Sequence, residues 1–327
     1  MGLSNTVKAI WTLLNGTTSP NVTLLINNLY EQLEGAKAGY GSVGNIFFVH
    51  GFTGNNANDG LTPANPFLTI TYALTQCVAD NDDYIIVLDH WQEVVDVNVT
   101  RVHIIGVTNN PSQALVQMNA AADTAIFTVT ALSNHCEIAG FSFGGGATHA
   151  AIENQGGTPM QLYIHDCMFG HSFAGDTPQD GIDIELNATN IRIENCLFCG
   201  NGAGTMGTIT RDGIRFAGGG DTLGGLIRKN RFLNIPGIGI NIATRFDNGF
   251  IEDNRFQVPD GAIGQAITFA IAAAGNTFVS GNVAAAGGDA VLTNIPFRDL
   301  SGAPAASGND WGQNFSGAAA AALPSAV

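Results

Sequence analysis

The chain has 327 residues, of which only 12% are charged, with 42 glycines and a net charge of −15. That balance argues against nucleic acid or an anionic membrane surface as partner, since both repel a polyanion. No apolar run approaches the roughly 18 residues of a membrane span. With lysine only at positions 8, 37 and 229, the wet surface must be built from Asn, Thr, Ser, Gly and Ala, which suits a packed assembly better than a freely diffusing enzyme.

In chain order, Val7, Ile10, Trp11 and Leu14 recur at helical spacing and predict a short amphipathic helix. Ser19 caps a second, with Pro20 at its first position. Val22, Ile26, Leu29 and Leu33 then repeat at intervals of 4, 3 and 4 residues, like a short heptad seam. Helices this short are marginal alone. Residues 1–44, closed by the Gly-containing linker 35–44, are therefore expected to pack with copies of the chain or to dock on a larger assembly, the alternative being that they fold back on the solenoid's own end. Phe47-Phe48-Val49 predicts a strand and a Gly/Asn/Asp loop follows. Ile70, Ala73, Leu74 and Cys77 then give a helix near 68–79 with one apolar face.

From Tyr84 onward the chain repeats. Tyr84–Leu88 and Val102–Val107 lead into six stretches that align without gaps on the anchors Ile138, Ile164, Ile193, Ile227, Ile251 and Val279, which lie 24 to 34 residues apart. Five positions later stand Phe143, Phe169, Phe198, Phe232, Phe256 and Ala284. Three positions later stand Phe141, Cys167, Cys196, Asn230, Asn254 and Asn282. Strands of constant form with connections of variable length predict a solenoid of stacked coils. The asparagines, each both donor and acceptor, are expected to hydrogen-bond along the stack. The columns one and two past the anchor predict lateral charge pairing, Glu194 to Arg228 to Glu252 and Asn195 to Lys229 to Asp253, on strands about 4.8 Å apart.

A second strand per coil is predicted at 149–154, 180–186, 212–216, 237–242, 265–270 and 289–293, the second of these alternating Ile182, Ile184 and Leu186 with Asp183 and Glu185. Of the five cysteines, Cys167 and Cys196 share a column in adjacent coils and read as small core thiols. Cys196-x-x-Cys199 lacks the second pair that a zinc site needs, and no metal or other cofactor is expected. Residues 299–327 are rich in Gly, Ala, Ser and Pro. With Trp311 and Phe315 as their one apolar cluster, they are expected to tie down on the last coil or on a neighbour.

The repeat resembles that of right-handed parallel β-helices of the pectate-lyase-like superfamily. The run from Phe47-Phe48-Val49 through Gly54-Asn55-Asn56, Asp59-Gly60 and Asn65-Pro66 to Leu74 is similar to the opening of such proteins, in which a helix plugs the solenoid. The resemblance implies an all-β, right-handed parallel β-helix of about seven coils over 45–298. It does not imply one activity, because the superfamily includes lyases, hydrolases, adhesins and phage spikes. A helical anchor followed by a β-helix also resembles phage spikes and virion decorations, which commonly form trimers. That implies a virion structural protein made in the host cytoplasm and held on capsid or tail proteins by its N-terminal segment. The same resemblance implies a rod displayed at the particle surface, with host surface glycan as a partner there.

Two other classes compete. A polysaccharide hydrolase or lyase needs paired carboxylates roughly 5–10 Å apart. The second strands offer Glu153, Asp183 and Arg215 in one column, Glu185 two residues beyond Asp183, and Asp212 at the preceding bend. Arg215 beside Asp183 is expected to lower its pKa, which suits a base and not an acid. The third class is a non-catalytic module that binds glycan or a receptor without turnover.

Overall fold

The computed structural model describes residues 44–90, 92–107, 115–120, 123–170, 177–200, 209–258, 265–270, 275–286, 296–300 and 308–316. The predicted N-terminal helices with their apolar rows, the predicted strand at 289–293 and the chain beyond 316 lie outside them.

The described chain is a parallel β-helix. Every strand pairing is parallel, and three long sheets of ten, eight and eight strands run along the stack, with a short three-stranded sheet at one corner. Each middle coil visits the sheets in turn. Tyr163–His165 lies in the first sheet, Met168–Phe169 in the second and Ile182–Ile184 in the third, before Arg192–Glu194 returns to the first beside its starting point. The register follows the aligned anchors, with Ile138, Ile164, Ile193, Ile227, Ile251 and Val279 paired in succession.

One difference from the sequence reading explains the repeat itself. A strand of period two puts residues three and five past an inward anchor on the outer face. Here Ile193, Cys196 and Phe198 are all buried. The nine-residue stretch is two strands, not one, divided by a left-handed residue two past the anchor. Gly140, Asp166, Asn195, Lys229, Asp253 and Gly281 have φ of 79, 51, 55, 58, 56 and 69°. The kink inverts the alternation and carries the chain from the first sheet to the second with both inner faces filled. A second left-handed corner precedes the anchor by three, at Asp82, Arg101, His135, Gln161, Asn190 and Asn248, with φ between 52 and 58°. Asn, Asp and Gly tolerate this conformation best, which is why they punctuate the repeat.

The second predicted charge column is thereby corrected. It marks the corner rather than a lateral ion-pair ladder, and Lys229 has no carboxylate within 4 Å among the described residues. In the first column, Arg228 does meet Glu194, with Nε donating to the carboxylate at 3.0 Å.

The interior is ordered in columns. Phe143, Phe169, Phe198, Phe232 and Phe256 stack face to face with centroids 5.1, 4.7, 4.7 and 4.6 Å apart. Beside them runs the amide ladder. Asn230 Nδ2 donates to Asn254 Oδ1 at 3.1 Å, Asn254 Nδ2 to Asn282 Oδ1 at 3.0 Å and Asn282 Nδ2 to Asn314 Oδ1 at 2.9 Å. Each Nδ2 also donates to the anchor carbonyl of the preceding coil, from Ile193 to Val279.

A helix covers the first coil, and the tail extends the last. At the first coil, helix Ile70–Gln76 buries Ile70, Ala73 and Leu74 against the core. Thr69 caps it, and the carboxylate of Glu93 accepts from the Ile70 and Thr71 amides at 2.9 and 2.8 Å. At the last coil, Asp310–Trp311 and Phe315–Ser316 add a strand to the first and second sheets. The Trp311 indole donates to Asp299 at 3.0 Å and sets its ring edge-on against Phe269. The tail is thus less irregular than expected. The first sheet holds ten strands where about seven coils were expected: the two leading stretches and the six anchors make eight, and the strand Ile46–His50 and the tail each add one. Nine spacings of about 4.8 Å make a rod of about 43 Å.

Candidate functional site

The third sheet presents an outward column in which Glu153, Asp183, Arg215 and Asn241 pair in register. The strands place these residues side by side as the sequence columns predicted. Asp180 and Asp212 stand at the bend three residues before Asp183 and Arg215. Thr148, His149, Gln179 and Arg211 complete an open groove, and among the described residues no Phe, Tyr or Trp lines it.

Within the groove the charges are largely spent on one another. Asp180 accepts from Arg211 through both carboxylate oxygens, one of them from Nε at 2.9 Å, and from the Asp212 amide at 2.9 Å. Asp212 accepts from the Ile238 amide at 2.7 Å and from Asn241 Nδ2 at 2.8 Å. Glu153 accepts from the Ala150 amide at 2.7 Å and meets His149 Nδ1 at 3.1 Å. Asp183 Oδ2 accepts from Arg215 Nη1 at 2.6 Å and Arg211 Nη2 at 3.2 Å. Arg215 Nη1 also lies 3.6 Å from Glu185 Oε1. The guanidinium therefore sits between the two carboxylates that would have to flank a glycosidic bond. That arrangement makes the Asp183–Glu185 pair an ion-pair cluster in this structure. Glu185 itself is largely exposed.

The expected depression of the Asp183 pKa is corrected. Burial is the largest influence, and with Asp180 and Glu185 nearby it outweighs Arg215 and pushes the carboxyl up to about 7. Burial also raises Asp212, against hydrogen bonds from Asn241 and Ile238. Asp183 Oδ1 is buried and has no hydrogen-bond partner among the described residues. Of the five candidates, Asp183 is the one whose environment suits a proton donor near neutral pH.

A second cluster, on the first sheet, was not assembled from the sequence. Glu137 takes His103 Nδ1 on one oxygen and His165 Nε2 on the other, both at 2.6 Å. His165 Nδ1 meets Asp166 at 2.7 Å, and His103 Nε2 lies 3.8 Å from Asp82. Carboxylates and imidazoles thus alternate across four coils. Burial alone would raise Glu137, but the hydrogen bonds and charges of the two histidines hold it down at about 2. Burial alone would lower His165, but Asp166 and Glu137 lift it to about 9. The signal was present in the register, which places His103 beside Glu137, and Glu137 beside Tyr163, two residues before His165 on the same face. Arg192 stacks over the Tyr163 ring at 4.5 Å beside this cluster, so that ring does not offer a free face to a ligand.

Among the described residues, no group of three His, Cys, Asp or Glu side chains is arranged to hold a metal ion. Among the same residues, no helix is long and apolar enough to cross a membrane. No protein-family model matches the chain, and no curated protein matches its sequence.

Proposed function

We propose that this chain is a virion structural protein, a spike or decoration that displays the β-helix as a stiff rod on a capsid or tail. The observation that carries the reading is the uninterrupted interior. Stacked phenylalanines tie the middle coils, the amide ladder ties the last ones, and a helix covers the first coil, so the rod holds its shape through its own interior. Its charge-poor surface suits close packing in an assembly, and the acidic cluster of the third sheet is neutralised internally instead of being presented to a substrate. The segment 1–44, with its two apolar rows, supplies the anchor, and three copies form the spike.

The test is the mass of the full chain in solution, by light scattering, against a chain lacking residues 1–40. A drop from trimer to a smaller species supports the anchor, and an unchanged mass rejects it. Antibody labelling of purified particles then locates the protein. Regular label on projections supports the reading, and label confined to the soluble fraction overturns it.

A second reading, cleavage of a host surface glycan, has one observation in its favour, the buried Asp183 carboxyl with its raised pKa and unpaired oxygen. New reducing ends from capsular or cell-wall glycan, abolished by Asp183→Asn, would place it above the first. Saturable binding without turnover would favour a glycan- or receptor-binding module.

A further inference from the structure

The amide ladder stops at Asn230, whose Oδ1 accepts from the Cys196 amide at 2.9 Å. In the two preceding coils its column is occupied by Cys196 and Cys167. Their thiols stand in for the amide in one respect only. Each sulfur reaches toward the anchor carbonyl of the coil before it, Cys167 Sγ to Ile138 at 3.8 Å and Cys196 Sγ to Ile164 at 4.0 Å. These are long contacts from weak donors, so this joint lacks the bond that fastens the later coils.

Both cysteines are free and buried. The residues around them are paired across the two coils, His165 with Glu194 before and Met168 with Leu197 after. Cys167 and Cys196, each between two such strands, are therefore stacked neighbours in adjacent coils, with Cα atoms about 4.8 Å apart at the strand spacing. That lies inside the disulfide range of roughly 4.4–6.8 Å. Burial first, and the neighbouring Cys167 after it, push the Cys196 thiol well above the usual range.

We propose that Cys167 and Cys196 form a latent covalent staple, closing to an intrachain disulfide under peroxide and fastening the two coils where the amide ladder ends. The thiolate of one cysteine attacks an oxygen of hydrogen peroxide. The O–O bond breaks, the departing hydroxide takes up a proton as water, and a sulfenic acid remains. The second thiol attacks that sulfur, the S–O bond breaks and a second water leaves. Two thiols are oxidised to one disulfide, and one peroxide is reduced to two waters. The closed loop spans 29 residues. Because both thiols are buried, peroxide reaches them slowly, and closure is slow compared with that of an exposed thiol.

The test uses the full chain carrying Cys77→Ser, Cys136→Ser and Cys199→Ser, treated with hydrogen peroxide while folded, then denatured and alkylated. The expected result is loss of both titratable thiols, a mass lower by two hydrogen atoms and an unchanged chain size on a denaturing gel. The melting temperature should rise by roughly 5 °C and return on reduction with dithiothreitol. The unsubstituted protein, cleaved by chymotrypsin between Cys196 and Cys199, should yield a Cys167–Cys196 cross-linked peptide, which keeps the proposal testable if the triple variant folds poorly. Two thiols still titrating, a gain of oxygen atoms, a chain-to-chain dimer or a Cys196–Cys199 link would each overturn it.

Discussion

Replacing Asn254 by alanine tests the interior most directly. The side chain is fully buried in the middle of the ladder. Its Oδ1 accepts from the Asn230 amide at 3.0 Å and from Asn230 Nδ2 at 3.1 Å, and its Nδ2 donates to Ile227 O and to Asn282 Oδ1, each at 3.0 Å. After truncation, Asn230 Nδ2 still has Ile193 O and Asn282 Oδ1 still has the Asn254 amide. The Asn230 backbone N–H is left with no acceptor in its place. One buried orphan donor costs about 1–3 kcal/mol, and the small void adds on the order of 1 kcal/mol. The expected loss is therefore about 2–4 kcal/mol, read as a fall in the urea midpoint at constant slope.

Asn254→Asp sharpens the test. The carboxylate keeps an acceptor for Asn230 but turns a second oxygen toward two acceptors, and only its protonated form can donate to one of them. This variant should accordingly gain stability as pH falls, while Asn254→Ala should not. If Asn254→Ala unfolds with the wild type, the column lies in water and the ladder argument is refuted.

Phe232→Ala opens a hole between Phe198 and Phe256, which stack on it at 4.7 and 4.6 Å. It should cost about 3–5 kcal/mol in the same measurement, and a loss below about 1 kcal/mol would mean the rings are not packed as described. For the Glu137 cluster the two signs differ. The Glu137 pKa is depressed to about 2, so its contribution is present above the ordinary 4.5 and is lost as pH falls toward 2. The His165 pKa is raised to about 9, so its contribution is present below the ordinary 6.5 and is lost as pH rises through 9. The contribution of this cluster, read as the melting temperature of the wild type minus that of Glu137→Gln, should plateau between pH 4.5 and 6.5 and fall on both sides, with His165→Gln flattening the alkaline fall and, since His165 helps hold Glu137 down, weakening the acid one. An alkaline limb unchanged in His165→Gln would reject the assignment.

The stack was legible in the sequence because parallel in-register coils turn a three-dimensional neighbour into a fixed sequence offset. Once Ile138 and Ile164 align, so do Phe143 and Phe169, and the pairings follow. Asn314 was legible by the same rule, since Trp311 three residues before it takes the anchor position, but the short spacing to Phe315 disguised it within a Gly/Ala-rich segment. The corners were harder to read. Lys229 at φ 58° breaks the Gly, Asp or Asn mark that the other five corners of its column carry, so the kink between the first two sheets was missed and its column passed for a charge ladder.

The candidate site shows where offset arithmetic stops. Alignment placed Glu153, Asp183 and Arg215 side by side, and they are. It could not place Arg211, which comes from the bend and brings a second guanidinium to Asp183. Nor could it weigh burial against charge. Column neighbours suggested that Arg215 controls the Asp183 carboxyl, whereas the depth of that carboxyl in the sheet decides its pKa. Position along the stack is a one-dimensional property carried by the repeat. Depth below the surface depends on loops that differ in every coil, and those loops decide whether a row of charges is a ladder that holds the rod together or a site that acts on something outside it.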